Sequence, residues 1–296
     1  MAIAAVFILL LSGVAFLAVI ERVPDRGLRY ALLAPLGEAA RLFAQQSVTT
    51  ERPDSANQII APVGWFVVAV AGMTVVPFAP GIAVANLDAG VVLWGSCEAL
   101  TIILVFLHGW SPNSILPLMG GYRFVAIALP AMLLSMFVLI GTTLPAQSLS
   151  VTAIVEAQTP LWNVVRQPLG LPLFLLLGLT IGLRGPFDYA DSADLATGTS
   201  AEISGRARLG WQVARLAMTT AVAAMAATAF LGGYLGPWLP GPIWLAVKTG
   251  FVLLLMVVLG RGLARMPAPR MMTMLWTVLL PLSFIDLVIA GLEALP

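Results

Sequence analysis

Long apolar stretches constrain this chain more than any other feature of its sequence. Eight of them occur, at roughly 2–20, 59–78, 90–109, 124–144, 168–183, 210–234, 242–260 and 271–292. A helix of about 20 largely apolar residues crosses the roughly 30 Å hydrocarbon core of a bilayer. The pattern therefore predicts an all-α, polytopic integral membrane protein with eight transmembrane helices, forming a single membrane domain over residues 1–296.

The composition of the chain excludes several classes of soluble protein. Hydrophobic residues make up 60% of the 296 residues and charged residues 10%, whereas soluble domains average about 45–50% and about 25%. The net charge of +1 gives no basic excess for binding nucleic acid. The single cysteine, Cys97, excludes an intrachain disulfide framework and a cysteine-rich metal or iron–sulfur site.

The basic residues indicate how the predicted spans are oriented. With the N-terminus outside, the inner segments carry twelve arginines and the outer loops carry only Arg166. Lysine and arginine are enriched in cytoplasmic loops. We therefore predict a multi-pass membrane protein with eight spans and both termini on the outer side.

The first of two long inner segments has the pattern of a helix that lies on the membrane surface. Residues 35–46 begin with a proline, which suits the first position of a helix. The apolar face that follows lies largely opposite Glu38 and Arg41. This arrangement predicts a cytoplasmic-side amphipathic helix at the lipid interface.

The second long inner segment, about 184–209, carries an acid at every third position from Asp188 through Asp191 to Asp194. On a helix these carboxylates would share a face. Their spacing does not match an EF-hand loop and no histidine stands near, so we expect no metal site. A solvated acidic loop and a functional loop both remain open from the spacing.

Several motifs resemble those of one membrane-protein family. The most specific is Arg184-Gly185-Pro186-Phe187-Asp188, followed by Asp191, Asp194-Leu195, Gly198 and Glu202-Ile203-Ser204-Gly205. Others follow in the family's order, among them Glu21-Arg22, Gly109-Trp110-Ser111-Pro112-Asn113-Ser114 and Pro240-Gly241-Pro242-Ile243-Trp244. The sequence resembles the H subunits of bacterial respiratory complex I, the NADH-quinone oxidoreductase. It resembles more distantly the membrane subunit of energy-converting hydrogenases.

The resemblance implies a subunit that binds no redox cofactor and contributes no catalytic residue of its own. In the family, the first span, the amphipathic helix and the sixth span frame a quinone tunnel. Quinone is the substrate, and FMN and iron–sulfur clusters lie on partner subunits of a multi-subunit oxidoreductase. The residues that would line the quinone site or dock the peripheral arm are Glu21, Arg22, Arg26, Arg29, Glu38, Arg41, Arg184, Phe187, Asp188, Asp191, Asp194 and Glu202.

Four ionisable residues fall within or near predicted spans: Glu98, Arg215, Lys248 and Asp286. Such groups are costly in a bilayer and are functional candidates by default. The alternative is a pairing between helices, for instance of Arg215 with Glu98. Lys248 matches a lysine of the family, so the resemblance implies a place for it on a polar axis.

The chain departs from the family at the intramembrane glutamates that begin a polar path for protons. The matching positions hold Met132, Ile181 and Arg215. Two of these side chains carry no proton, and an arginine does not usefully deprotonate at pH 7. We hypothesise that docking and quinone-facing surfaces are kept while the proton path is broken or rerouted.

Two functions of other classes stay open from the sequence. One is the membrane anchor of an energy-converting hydrogenase or ferredoxin-linked complex, with the same fold and no quinone. The other is an independent ion or solute transporter, which should show paired broken helices with polar residues at the bilayer midplane. Few such residues are present.

Overall fold

The computed structural model describes the backbone of residues 2–293 and their side chains apart from those of Arg26 and Ala193. These residues form helices and connecting segments, with no β-strand among them. The helices are α1 (Ala2–Ile20), α2 (Val23–Arg26), α3 (Leu28–Ala44), α4 (Ser55–Met73), α5 (Gly90–Trp110), α6 (Ile115–Thr143), α7 (Val151–Ala157), α8 (Asn163–Arg166), α9 (Gly170–Ile181), α10 (Gly205–Phe230), α11 (Gly241–Gly262), α12 (Ala268–Met274) and α13 (Leu280–Glu293).

Seven helical segments of the described chain are long and apolar enough to cross a membrane: Ala2–Asp25, α4, α5, α6, α10, α11 and Ala268–Glu293. The prediction of an all-helical polytopic membrane protein is thus confirmed. The predicted fifth span corresponds to α9, whose 12 residues extend only about 18 Å. Nearly every side chain of α9 is buried among other helices. Its role as an eighth crossing therefore stays a prediction.

Helix α10 is the central helix of the bundle. From Ala217 to Phe230 every residue is buried, and most of these residues are alanine or threonine. Small side chains let helices in a membrane approach closely, because packing there depends on van der Waals contact. A Cβ added at Gly13 of α1 would collide with the Thr220 side chain, so this pair of helices is in close contact.

The connecting segments gather at two ends of the bundle. At one end Asp54 N–H donates to Ser111 O (2.8 Å) and Tyr189 Oη donates to Met266 O (2.9 Å). At the other end Val91 N–H donates to Leu149 O at 3.1 Å. We call the first the basic end, because it holds the segments around 21–54, 111–123, 182–208 and 261–270 that carry the twelve arginines.

The surface helix starts earlier than the sequence predicts. Helix α3 spans Leu28–Ala44, so Pro35 lies inside it and the prediction that this residue occupies the first position is wrong. The helix begins after Gly27, whose φ of 82° ends α2 and turns the chain. The side chain of Leu36 is 70% exposed and that of Phe43 58% exposed, as expected for a helix with an apolar face toward lipid.

The last apolar segment changes from α-helical to π-helical geometry just before Pro281. A π-helical stretch, Leu275–Leu279, separates α12 from α13. Proline lacks an N–H and its ring crowds the carbonyl four residues earlier, here that of Thr277. Widening the preceding turn relieves that contact and keeps Ala268–Glu293 a single long segment.

Candidate functional site

The three aspartates of the acidic loop form ion pairs with arginines from three separate parts of the chain. Their segment, 182–204, forms short turns instead of one helix, so the carboxylates do not share a helical face. Asp194 Oδ2 lies 2.9 Å from Arg123 Nη1 of α6. Asp188 Oδ1 lies 3.1 Å from Arg265 Nε, which follows α11. The loop thus ties the basic ends of several helices together.

Asp191 is the most enclosed of the three aspartates. Its Oδ2 lies 4.0 Å from Arg215 Nη1 on α10, and its Oδ1 accepts hydrogen bonds from the hydroxyls of Thr199 and Ser200. Burial raises the pKa of Asp191, against the opposing effects of these hydrogen bonds and of Arg215. Asp194 is exposed, and its hydrogen bonds from Arg123 and Ser192 lower its pKa to about 2.

An ion pair closes the basic end between α1 and the acidic loop. Arg184 Nη1 contacts Glu21 Oε1, and the two side chains are 10% and 26% exposed. Burial, with a smaller contribution from nearby Arg215, lowers the pKa of Arg184 to about 9, so the guanidinium remains charged at pH 7. Arg261 contacts both the Glu21 carbonyl and Asp25 Oδ1.

A polar cleft of about 250 Å³ lies beside this ion pair. It is lined by Glu21, Leu183, Arg184, Gly185, Arg215, Met256, Val257, Gly260 and Arg261. Two donors at its wall, Arg184 Nη2 and Arg215 Nε, are buried and have no hydrogen-bond partner within the described part of the chain. The cleft is therefore lined by charged side chains of the basic end together with the apolar side chains of Leu183, Met256 and Val257.

A larger apolar groove of about 370 Å³ lies between α1, α3 and α10. Its walls are Leu11, Val14, Ala15, Ala18 and Val19 of α1, Leu32, Pro35, Leu36 and Ala39 of α3, and Leu209, Gln212, Val213 and Leu216 of α10. Arg22 and Glu38 also line it and form an ion pair with each other. The groove is therefore apolar along its walls and charged where Arg22 and Glu38 line it.

A second apolar groove, of about 640 Å³, lies between the C-terminal end of α3, α4 and α10. The Arg206 guanidinium sits at its rim, 4.6 Å from the centre of the Phe43 ring. No sequence pattern indicates this groove, because its walls come from three helices, α3, α4 and α10, that are far apart in the chain.

The remaining residues of the predicted site lie around the basic end without joining the cleft. Arg29 and Arg41 are exposed on α3, and Phe187 is buried under the acidic loop. Glu202 accepts a 3.4 Å hydrogen bond from the Ser114 hydroxyl. The side chain of Arg26 lies outside the described residues.

The pairing of Arg215 with Glu98 suggested by the sequence is wrong. Arg215 faces Asp191 at the basic end, whereas Glu98 is buried between α5 and α6 and accepts hydrogen bonds from Trp94 Nε1 and the Ser135 hydroxyl. The two residues lie on different helices with different neighbours, which sequence spacing could not reveal. No cation lies within 4.0 Å of Glu98 among the described residues.

Lys248 and Asp286 lie toward the other end of the bundle. Lys248 Nζ donates to Leu235 O at 2.6 Å and sits 4.5 Å from the centre of the Trp162 ring. Asp286 is fully buried, and its Oδ2 accepts a 3.0 Å hydrogen bond from Gln167 Nε2. These contacts join the connecting segments at that end to α11 and α13.

The partners of the acidic loop could not be identified from sequence spacing. Arg123 lies 71 residues from Asp194 in the chain, and Arg265 lies 73 residues from Ser192, which its guanidinium contacts. In the described residues, no group of three or more histidine, cysteine, aspartate or glutamate side chains could hold a metal ion.

Comparison with known proteins identifies the family. A family model described as NADH dehydrogenase matches residues 1–291. An NADH-quinone oxidoreductase H subunit of Rhodopseudomonas palustris (strain BisB5) is 34% identical over 270 residues, which cover 91% of this chain and 85% of the relative. An H subunit of the same enzyme from Cereibacter sphaeroides (strain ATCC 17029 / ATH 2.4.9) is 32% identical over 270 residues, covering 90% and 85%.

These relatives favour the quinone oxidoreductase over the hydrogenase anchor and the transporter that the sequence left open. Both are H subunits of NADH-quinone oxidoreductase, and both align over nearly the whole chain. The chain belongs to the NADH dehydrogenase family, as an H subunit of NADH-quinone oxidoreductase, a membrane subunit of complex I.

Proposed function

We propose that this chain guides a long-tailed quinone from the lipid to the peripheral redox arm of an NADH-quinone oxidoreductase. The observation that carries the proposal is the groove between α1, α3 and α10, which is apolar along its walls and charged at Arg22 and Glu38. A quinone has the same distribution of polarity, because its tail is apolar and only its head group needs polar contacts. The groove is bounded by the three elements that the family resemblance implicates.

The basic end is proposed as the docking face for the peripheral subunits. Arg29, Arg41 and Glu202 are exposed there, and the aspartates of the acidic loop form ion pairs with arginines of this same chain. FMN and iron–sulfur clusters would lie on those partner subunits. The chain is a multi-pass protein of a bacterial inner membrane. We propose that its basic end faces the cytoplasm and both termini face outward.

We further propose that the proton path differs from that of the family. Met132 packs against the core, Ile181 is buried, and Arg215 faces Asp191. Neither apolar side chain can pass a proton, and Arg215 places a fixed positive charge where the family has an acid. A path through these three positions is therefore interrupted, and any proton movement must use other groups.

Isolation of the assembled complex tests the proposed function. A complex purified through a tag on this chain should contain flavin-bearing and iron–sulfur subunits and should reduce quinone with NADH as the electron donor. Copurification of a nickel-binding subunit without quinone reduction, or recovery of this chain alone, would contradict the proposal.

The same preparation, reconstituted into vesicles, tests the proton path. We expect fewer protons translocated per electron than in a complex whose H subunit keeps all three glutamates, because the path through positions 132, 181 and 215 is interrupted. Proton release can be followed with a pH-sensitive dye while NADH consumption is recorded. Equal stoichiometry in the two complexes would exclude an interrupted path.

A further inference from the structure

A fully buried carboxyl group in the interior of the bundle lies outside the quinone groove and the acidic loop. Glu98 lies near the middle of α5, about 12 Å from one end of that helix and about 18 Å from the other. Its exposed fraction is 0%. A carboxylate at this depth is costly unless it is paired or protonated.

The hydrogen bonds to Glu98 indicate whether its carboxyl group is ionised or protonated. Trp94 Nε1 donates to Glu98 Oε1 at 2.6 Å. Ser135 Oγ lies 3.0 Å from Oε1 and 2.9 Å from Oε2, so it is close to both oxygens at once. A serine hydroxyl has one proton and can donate to only one of them. A proton on Oε2 turns the second contact into a hydrogen bond that Ser135 accepts.

No positive charge is available among the described residues to stabilise a carboxylate at this position. The elements packed most closely against α5 are α4, α6, α9 and the turn 198–200, and α10 contacts it where Trp211 stacks on His108. Arg123 of α6 is about 18 Å along the helix from Ser135, and no arginine of α10 forms an ion pair with Glu98. On α5 itself the other titratable groups are Cys97 and His108, and neither supplies a cation beside Glu98.

The surroundings are shaped to hold this carboxyl group in place. An added Cβ at Gly72 of α4 would lie 2.8 Å from the Trp94 ring, so the glycine makes room for the indole that binds Glu98. An added Cβ at Gly95 would lie 2.6 Å from the Met136 side chain, so this glycine lets α6 approach α5. Gly72 thus leaves space for one hydrogen-bond donor, and Gly95 allows the close approach of the helix that carries the other.

We propose that Glu98 is a proton-binding site, neutral in the resting protein, that releases its proton when the quinone site turns over. In that step the Oε2–H bond breaks, the electron pair stays on the carboxylate, and a water molecule accepts the proton. The Trp94 N–H and the Ser135 hydroxyl then both donate to the charged group. The resting state is argued from the burial and the hydrogen bonds of Glu98, whereas the release step rests on the proposed function.

Infrared spectroscopy of the intact complex tests the resting state. At pH 7 the wild-type protein should show a carbonyl stretch of a protonated carboxylic acid that disappears completely in Glu98→Gln. The stretch should shift to higher frequency in Ser135→Ala, because the carbonyl oxygen loses the hydrogen bond that Ser135 donates and the acid O–H loses its acceptor. Glu38→Gln is the matched control, because it removes a paired carboxylate and should leave this band unchanged. If the acid band is the same in wild type and Glu98→Gln, the proposal is overturned.

A second spectrum, recorded after adding NADH and quinone, tests the release step. The acid band should weaken in the wild type while carboxylate bands appear, and Glu98→Gln should show neither change. Quinone reduction measured on the same sample separates the two proposals: turnover with an unchanged acid band overturns proton release by Glu98, whereas absence of turnover contradicts the proposed function. Should Glu98→Gln fail to assemble, the shift in Ser135→Ala decides the resting state.

Discussion

Replacing Ala39 with tryptophan should lower kcat/KM for a long-tailed quinone at least tenfold. Ala39 lines the groove between α1, α3 and α10, whose volume is only about 370 Å³. An indole ring projecting from α3 would occupy the space that the tail needs. A tenfold loss corresponds to about 1.4 kcal/mol of transition-state stabilisation. A short-tailed quinone should lose much less, because its head group can arrive without filling the groove.

The neighbouring alanine provides a matched control for this prediction. Ala40 lies next in the same helix but is exposed and does not line the groove. Ala40→Trp should keep nearly wild-type kcat/KM with both quinones. Equal losses in the two variants would show that any bulky substitution in α3 disturbs the protein. Equal losses with long- and short-tailed quinones would show that the groove does not hold the tail.

Replacing Arg184 with glutamine should cause the largest loss of stability of any single change at the basic end. The substitution removes the partner of Glu21 and leaves that carboxylate largely enclosed. Breaking a buried ion pair by removing one partner costs about 3 kcal/mol or more, because the remaining charge is uncompensated. We expect a lower melting temperature of the purified complex and a loss of most quinone reductase activity.

A double substitution distinguishes this pairing from general damage to the loop. Glu21→Gln combined with Arg184→Gln removes both charges, so the double variant should melt at a higher temperature than Arg184→Gln alone. Residues in direct contact show interaction energies of about 0.5–3 kcal/mol in such cycles. Strictly additive effects of the two changes would contradict the ion pair.

The membrane architecture could be predicted from the sequence because its cause is local. Apolar stretches such as 90–109 and 242–260 closely match α5 and α11. The central position of α10 could not be predicted, since an alanine- and threonine-rich helix is recognised as central only when its neighbours are known. The prediction for Pro35 is wrong for a related reason. Proline favours the first turn of a helix, but α3 already starts after Gly27, so Pro35 lies inside it.

The contacts of the functional side chains could likewise be predicted only where the partner is close in the sequence. The residue types of the acidic loop are evident from the sequence, but their spacing would place them on one face only in a helix, and the segment forms short turns. Asp194 pairs with Arg123, and Asp191 pairs with Arg215, only because separate helices pack together. The partners of Glu98 combine a local residue, Trp94 one turn away, with Ser135 on another helix. Sequence spacing can suggest the first kind of contact and not the second.

Photolabelling with a long-tailed quinone that carries a photoreactive group on its tail tests the central claim most directly. In the intact complex we expect the label on residues 11–19, 32–39 and 209–216, which form the walls of the groove between α1, α3 and α10. Excess unlabelled quinone should displace it. Labelling confined to residues 58–66 of the second groove, or labelling that excess quinone does not reduce, would contradict the account.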